Sequence, residues 1–194
     1  MPARLYSHDK VIAKLAEVFR EHGYEGTSLA HISEATGLGK GSLYHAFPNG
    51  KADMAEAVLD EINAWFVDNV FRALGDSSCD AGDAILEMLD ACDRYFCGGG
   101  RVCLVGVFAL SDTRDLFHVA VNGYFLRWFE ALHAALVRAG LNQHKGRELA
   151  EDILSGVQGG LVIARALDDT GCFTRELARI KGRVQSHLSE VMVS

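Results

Sequence analysis

The sequence of 194 residues is poor in proline and has no long apolar run. Its two prolines are Pro2 and Pro48, so nothing after that point prevents long helices. The longest apolar stretch, residues 102–110, is far shorter than the roughly 20 residues that a membrane-spanning helix needs. Because residues 1–9 also hold no apolar signal core, we expect a soluble, cytoplasmic protein with no membrane partner.

Cysteine and histidine pairs with catalytic or metal-binding spacing are lacking as well. The five cysteines include no C-x-x-C pair, which favours reduced thiols over a disulfide framework. A redox or metal switch at Cys92, Cys97 and Cys103 stays open, although their spacing supports neither. The sequence contains no H-x-x-x-H pair, nucleophile elbow, phosphate loop or dinucleotide fingerprint. It therefore predicts no enzyme, no metal and no cofactor.

Positive charge is scarce overall, since the net charge is −7. Its distribution is uneven: residues 1–51 hold six Lys or Arg against five Asp or Glu, and the remainder holds 13 against 21. An acidic surface repels DNA. Any nucleic-acid contact is therefore expected in the N-terminal segment.

Apolar residues recur at helical spacing along the chain, and no alternating strand pattern or hairpin signal accompanies them. The predicted fold is all-α, with a three-helix head at residues 1–50 and a larger helical domain at residues 51–194. Ser28 is the predicted N-cap of the second helix, and Gly37 its terminator. Glycines 98–100 are expected to form a flexible link. The predicted helices cover residues 9–21, 29–35, 40–46, 51–74, 81–96, 113–139, 146–168 and 174–192, and residues 102–110 form a buried helix or a strand.

Two short predicted helices meet across residues 36–39, which is the geometry of a helix-turn-helix. The second helix can enter the major groove of DNA, which is about 12 Å wide. Apolar side chains hold the pair on the first helix, and the remaining polar groups can donate to phosphates or base edges. These candidate DNA contacts are Thr27, Ser28, Lys40, Ser42, Tyr44, His45 and Lys51.

The same segment resembles the N-terminal DNA-binding domain of the TetR family of transcriptional regulators. The resemblance is carried by Thr-Ser-Leu-Ala-His-Ile at 27–32, Gly-Leu-Gly-Lys-Gly-Ser-Leu-Tyr-His-Ala-Phe-Pro at 37–48, and Lys51. The turn Phe-Pro-Asn-Gly-Lys is similar to a subgroup with Phe-Pro-Gly-Gly-Lys. Two departures each remove a potential phosphate contact, because Gly39 stands where Ser is frequent and Ala46 where a second His is common.

This resemblance implies an all-α homodimer whose heads bind a palindromic operator, usually to repress transcription. By position it adds Gly41 to the DNA contacts. It also implies that the larger domain binds a small molecule that releases the DNA.

The predicted helix over residues 113–139 is apolar on nearly every face, which places it in a core or beside a cavity. Plain core packing stays open for each of its aromatic residues. An aromatic-lined pocket, as the family implies among its central helices, would suit a flat or hydrophobic effector that is neutral or cationic. The candidate ligand-binding residues are Trp65, Phe66, Phe96, Phe108, Phe117, Tyr124 and Trp128.

The last two predicted helices carry apolar stripes and three glycines that would let another helix approach closely. Two such helices from each subunit would form a four-helix bundle. Packing of the stripe inside its own chain is the alternative. The candidate dimer-interface residues are Ile153, Gly156, Val157, Gly160, Leu161, Ala164, Leu177, Ile180, Val184 and Leu188.

The sequence thus predicts a ligand-responsive regulator that binds double-stranded operator DNA as a homodimer and is released by a small hydrophobic effector. Activation in place of repression stays open. One alternative is an α-helical carrier or enzyme that uses the aromatic cavity and binds no specific DNA sequence. Another is an architectural DNA-binding protein without an effector.

Overall fold

A computed structural model describes residues 7–193, with side chains up to residue 189. Residues 1–6, most of the segment used above to judge the start of the chain, lie outside the described part. Every regular element within residues 7–193 is helical, which confirms the predicted fold class. The α-helices are α1 (His8–Gly26), α2 (Leu29–Thr36), α3 (Lys40–Ala46), α4 (Lys51–Phe66), α5 (Arg72–Gly75), α6 (Ala81–Tyr95), α7 (Leu104–Ala109), α8 (His118–Arg138), α9 (Gln143–Leu167) and α10 (Gly171–Val193).

Three shorter helical elements refine the predicted pattern. A π-helix at Val67–Phe71 joins α4 to α5, so the predicted helix over 51–74 is present but widened in its middle. A 3-10 helix at Asp112–Arg114 precedes α8, which therefore begins later than predicted. Another lies at Cys97–Gly99. None of the described helices is long and apolar enough to cross a membrane.

The chain divides into two compact units. The first unit comprises the described residues of Met1–Ala64 together with Leu104–Asn122. The second unit comprises Trp65–Cys103 and the described residues of Gly123–Ser194. This division differs from the predicted boundary after residue 50, because much of α4, the whole of α7 and the start of α8 belong to the first unit.

The core of the first unit forms around α1. The apolar stripe of this helix is buried, and both Leu15 and Phe19 are inaccessible to solvent. Helices α2 and α7 pack against α1, and the Phe19 ring meets the edge of the Phe108 ring at 6.1 Å between centroids. Burial of each such side chain stabilises the fold by roughly 1.5–3 kcal/mol. Gly23, at φ +67°, interrupts α1 near its predicted end.

The second unit is built on α9 and α10, which pack along each other after a turn at Asp168. Helix α10 also packs on α6, where the ammonium of Lys181 contacts the carboxylate of Asp90. Helix α8 is tied to the end of α5, because Arg138 Nη2 donates to the carbonyl of Leu74 over 2.7 Å. Several long helices are thus held by side chains that cross between them.

The glycine run at 98–100 is a tight turn packed against the start of α10. Cys97, Gly98 and Gly99 all have positive φ, at 52°, 61° and 96°. A Cβ atom on Gly99 would lie 2.7 Å from the Cβ of Phe173, closer than real side chains approach. The expectation of a flexible link is therefore wrong, because the glycine at 99 is needed both for its backbone conformation and for this contact.

Candidate functional site

The turn between α2 and α3 is fixed by local hydrogen bonds. The Ser28 hydroxyl accepts from the backbone N–H of His31 at 3.2 Å, which confirms Ser28 as the N-cap of α2. Gly37 ends α2 at φ +71°, as predicted. The buried Thr36 hydroxyl donates to the carbonyl of Ile32 and accepts from the N–H of Leu38. The two short helices are therefore held in one geometry.

Helix α3 has one buried side and one solvent-exposed side. Leu43 is fully buried and anchors the helix, whereas the predicted DNA contacts of α3 are exposed. The Tyr44 side chain is 44% exposed, and its ring lies against Gly50. We call this exposed set the α3 face, and its members are Lys40, Gly41, Ser42, Tyr44 and His45.

Thr27 and Lys51 are placed differently from the α3 face. Thr27 is only 2% exposed, and its hydroxyl donates to the carbonyl of Gly23 at 2.5 Å. Lys51 Nζ donates to the carbonyls of Tyr24 at 2.7 Å and Thr27 at 3.1 Å, and lies 4.4 Å from the centroid of the Tyr24 ring. The ammonium thus satisfies carbonyls at the C-terminal end of α1.

These internal hydrogen bonds are sufficient to explain the position of Lys51 at the start of α4. A DNA contact from the Thr27 or Lys51 side chain would require these internal hydrogen bonds to be shared or broken. Such contacts stay predictions, and sequence reasoning had no signal for the internal role of Lys51.

The seven predicted ligand-binding aromatics divide between the two units. Phe108 and Phe117 belong to the first unit and lie 5.3 Å apart. The other five belong to the second unit, where Phe66 is the central ring. Its centroid lies 4.9 Å from Tyr124 and 5.2 Å from Trp128. The predicted set is therefore not one cluster, and the sequence also missed Tyr95 and Phe71, whose rings contact Phe66.

We call the rings around Phe66 the aromatic cluster, and its members are Trp65, Phe66, Phe71, Tyr95, Phe96, Tyr124 and Trp128. Tyr124 and Trp128 are 2% and 0% exposed, yet the Tyr124 hydroxyl and the Trp128 Nε1 have no hydrogen-bond partner among the described residues. Buried polar atoms are rarely left unpaired.

Cys92, near the cluster, offers no reactive thiolate. Burial, above all, raises the pKa of the Cys92 thiol, and the neighbouring Cys103 acts in the same direction. The thiolate is the reactive form of cysteine, so Cys92 stays inert. Within the described residues, no group of three or more His, Cys, Asp or Glu side chains could hold a metal ion.

The predicted dimer-interface residues lie mostly inside the single chain. Eight of the ten are buried between helices of their own subunit, and only Gly156 and Leu188 retain partial exposure. This burial favours the alternative that the stripe packs inside its own chain, and the role of these residues in a dimer surface stays a prediction. The buried eight are Ile153, Val157, Gly160, Leu161, Ala164, Leu177, Ile180 and Val184.

A different face of α9 remains uncovered. Val162, Ile163 and Leu167 are 57%, 49% and 65% exposed. A shallow groove of about 280 Å³ adjoins them, and a Cβ added at Gly159 in this groove would meet nothing within 4 Å. The groove is lined by Gly156, Gly159, Gly160, Ile163, Cys172, Arg175, Glu176 and Arg179.

Two family models match the chain. The model described as bacterial regulatory proteins, tetR family, matches residues 11–58. The model described as transcriptional regulator LmrA/YxaF-like, C-terminal domain, matches residues 82–176. Among curated proteins, the HTH-type transcriptional regulator YxaF of Bacillus subtilis is 27% identical over 169 residues, covering 84% of this chain and 87% of that protein.

Solved structures share the fold. A TetR transcriptional regulator from Legionella pneumophila superposes with a TM-score of 0.78 at 24% identity, covering 93% of this chain and 99% of that one. A cysteine mutant of the TetR family regulator CifR, solved with 26 bp double-strand operator DNA, gives a TM-score of 0.70 at 22% identity, covering 97% and 98% of the two chains.

Proposed function

Because the chain belongs to the TetR family and is a DNA-binding transcriptional regulator, we propose that it represses transcription from a palindromic operator. In this proposal it binds the operator in the cytoplasm as a homodimer, and a small hydrophobic effector releases it. Residues 1–50 serve mainly DNA binding, and residues 51–194 serve effector binding and dimerisation.

The observation that carries the operator proposal is the α3 face. A single buried residue, Leu43, fixes the helix, and the polar side chains around it are left to solvent. Lysine, serine, tyrosine and histidine supply the donors that read base edges and phosphates in the major groove. The N-terminal end of α2, where Ser28 is exposed, adds backbone N–H groups that can bind a phosphate.

The dimer surface that we propose is the uncovered face of α9. Ile163 and Leu167 lie one turn apart on that helix, and the open space at Gly159 lets a second helix approach closely. A two-fold axis places the same patch on both subunits, so an apolar face beside a shallow groove can be self-complementary. We prefer this surface to the stripe that the sequence favoured, because eight residues of that stripe are buried in their own chain.

Release of DNA follows from a difference in effector affinity between two conformers. Two α3 helices fill successive major grooves only when they lie about 34–36 Å apart. An effector that binds a differently spaced dimer more tightly lowers operator affinity by the ratio of its two affinities. Helix α4 contributes residues to both units and runs directly into the π-helix, and in this proposal it is the lever that transmits effector binding to the head.

Selection from a random pool of duplex DNA tests the operator proposal. We expect enrichment of a palindrome whose half-sites are centred about one helical turn, roughly 10 bp, apart. A pool from which no sequence is enriched would contradict the proposal and favour a carrier that binds no specific DNA.

Charge introduced at Ile163 tests the dimer surface. We expect Ile163→Glu to raise the dimer dissociation constant more than ten-fold in analytical ultracentrifugation, because a carboxylate would be buried against its symmetry mate. Val119→Glu, at an exposed valine of the first unit, is the matched control. An unchanged dimer in Ile163→Glu would rule out this surface.

A further inference from the structure

The turn between α3 and α4, residues 47–50, is held by hydrogen bonds on both sides. The Gly50 N–H donates to the Phe47 carbonyl over 2.8 Å. Asp53, in the first turn of α4, accepts from the Asn49 backbone N–H at 2.8 Å and from the Asn49 side-chain amide at 3.0 Å. Phe47 is only 4% exposed and anchors the start of the segment in the core. This segment, which we call the α3–α4 turn, is therefore held in one geometry.

Tyr44, the aromatic residue of the α3 face, rests on the α3–α4 turn. Gly50 is buried and has φ +67°, and a Cβ added there would lie 3.3 Å from Cε1 of the Tyr44 ring and 3.8 Å from its hydroxyl oxygen. Glycine adopts this backbone conformation without strain and leaves room for the ring. The ring is thus supported on one side by the backbone of Gly50, while Tyr44 stays 44% exposed.

Support of the Tyr44 ring matters for sequence recognition. A side chain that is fixed before binding loses less conformational entropy when it meets its partner. It also holds its hydroxyl at one place relative to the base edges, and a contact that is about an ångström too loose discriminates poorly. The geometry of the α3–α4 turn is therefore expected to affect the choice between DNA sequences, even though the turn lies outside the α3 face.

Asp53 also meets the requirements of a purely structural residue. An acidic group in the first turn of a helix stabilises that helix through the helix dipole. Its two hydrogen bonds to Asn49, in contrast, tie it to the residue beside Gly50 and hence to the support of the Tyr44 ring. The structural role changes stability alone, whereas a positioning role changes the discrimination between DNA sequences. A measurement of selectivity therefore distinguishes the two roles.

We propose that Asp53 and Gly50 are positioning residues for operator recognition. Asp53 holds the α3–α4 turn at Asn49, and Gly50 supports the Tyr44 ring. Neither Asp53 nor Gly50 contacts DNA, and both act through Tyr44. The inference rests on the proposed function and assigns part of its sequence selectivity to residues that lie behind the α3 face.

The selectivity ratio, defined as the affinity for the selected operator divided by the affinity for a random duplex of the same length, tests this inference. We expect Asp53→Ala to lower the ratio about ten-fold, because a Tyr44 ring on a loosened turn no longer meets one base edge. Affinity for the random duplex should stay constant or rise, since a negative charge is removed. Partial unfolding would lower both affinities together and leave the ratio unchanged. Asp60→Ala, which removes an exposed carboxylate of the same helix, is the matched control and should not change the ratio.

A double-mutant cycle with Tyr44→Ala tests whether Asp53 and Gly50 act through the ring. The other donors of the α3 face keep part of the selectivity in Tyr44→Ala, so a further loss remains measurable. We expect Asp53→Ala and Gly50→Ala each to lower the ratio about ten-fold when the ring is present and less than about two-fold when it is absent. The backbone strain of Gly50→Ala is the same in both backgrounds, so the difference reports the contact between the added methyl group and the ring.

Asp53→Asn separates the hydrogen bonds of Asp53 from its charge. Asparagine keeps an acceptor oxygen for the Asn49 N–H but carries no charge, so we expect a ratio within about three-fold of wild type. A ratio as low as that of Asp53→Ala would assign the effect to the charge and overturn the inference. An unchanged ratio in Asp53→Ala, or an equal loss with and without the Tyr44 ring, would overturn it as well.

The same measurements separate this inference from the proposed function. Wild-type protein that prefers no duplex over another would contradict both. Wild-type protein that is selective, with a ratio that Asp53→Ala does not change, would support the operator-binding regulator and contradict only the positioning role.

Discussion

The α3 face of the first unit and the aromatic cluster of the second unit differ in the solvent exposure of their polar groups. On the α3 face of the first unit, donors lie in solvent and water satisfies them until DNA replaces it. In the aromatic cluster of the second unit, the Tyr124 hydroxyl and the Trp128 indole N–H are buried among apolar side chains. Unpaired buried donors destabilise the folded chain, whereas exposed donors do not. The comparison teaches that polar groups on an exposed face can be kept for a partner without loss of stability, whereas buried polar groups lower stability unless they are paired.

The largest effect that we expect is on operator affinity, and it tests the exposed α3 face. We expect Tyr44→Ala to weaken operator binding about 100-fold, as for the loss of a specific base contact worth about 2–3 kcal/mol. The melting temperature should stay nearly constant because the Tyr44 ring is 44% exposed. Fluorescence anisotropy on the selected operator and thermal unfolding measure the two quantities. His144→Ala, at an exposed residue of the second unit, is the control, and retained affinity in Tyr44→Ala would refute our placement of the recognition helix.

A pair of buried hydroxyls sharpens the comparison. Thr36 is fully buried, and its hydroxyl donates to Ile32 at 2.7 Å and accepts from Leu38 at 3.3 Å. We expect Thr36→Val to lower the free energy of unfolding by about 1–3 kcal/mol, because the Leu38 N–H loses its acceptor. Tyr124→Phe should leave it unchanged or raise it. Urea unfolding measures the free energy of unfolding of both variants. Equal losses in Thr36→Val and Tyr124→Phe would show that the Tyr124 hydroxyl is hydrogen-bonded as well as the Thr36 hydroxyl is.

The smallest effect separates two lysines of the first unit. Lys51 donates to two carbonyls, whereas Lys40 is exposed on the α3 face. We expect Lys51→Met to lower the free energy of unfolding by about 1 kcal/mol. Lys40→Met should leave stability unchanged but reduce the salt dependence of operator binding by about one unit of slope per lost phosphate contact. Indistinguishable behaviour of the two variants in both measurements would contradict these roles.

The DNA-binding segment was predictable because its signals are local. The helices expected at 29–35 and 40–46 are found at Leu29–Thr36 and Lys40–Ala46. A serine that caps a helix and a glycine that ends one act through their own backbone neighbours. The exposed polar residues of α3 follow once the apolar side of so short a helix is assigned.

The second unit was less predictable because its determinants are long-range. An apolar stripe packed on a neighbouring helix of the same chain has the same sequence pattern as one packed on a second subunit. For this reason Val157 and Ile180 were assigned to the dimer surface although both are fully buried in one chain. Helical spacing likewise groups Phe117 with Tyr124 but does not show that their rings belong to different units. Sequence reasoning also had no signal for the π-helix.

The hydrogen bonds of Lys51 have a mechanical consequence. This residue begins α4, and its ammonium holds Tyr24 in the last turn of α1 and Thr27 just before α2. Hydrogen bonds are lost beyond about 3.5 Å, so bonds of 2.7 and 3.1 Å leave less than an ångström of slack. A displacement of Lys51 by less than an ångström therefore either moves Thr27 with it or breaks these hydrogen bonds. Both results disturb the N-terminal end of α2, which we propose to bind a phosphate.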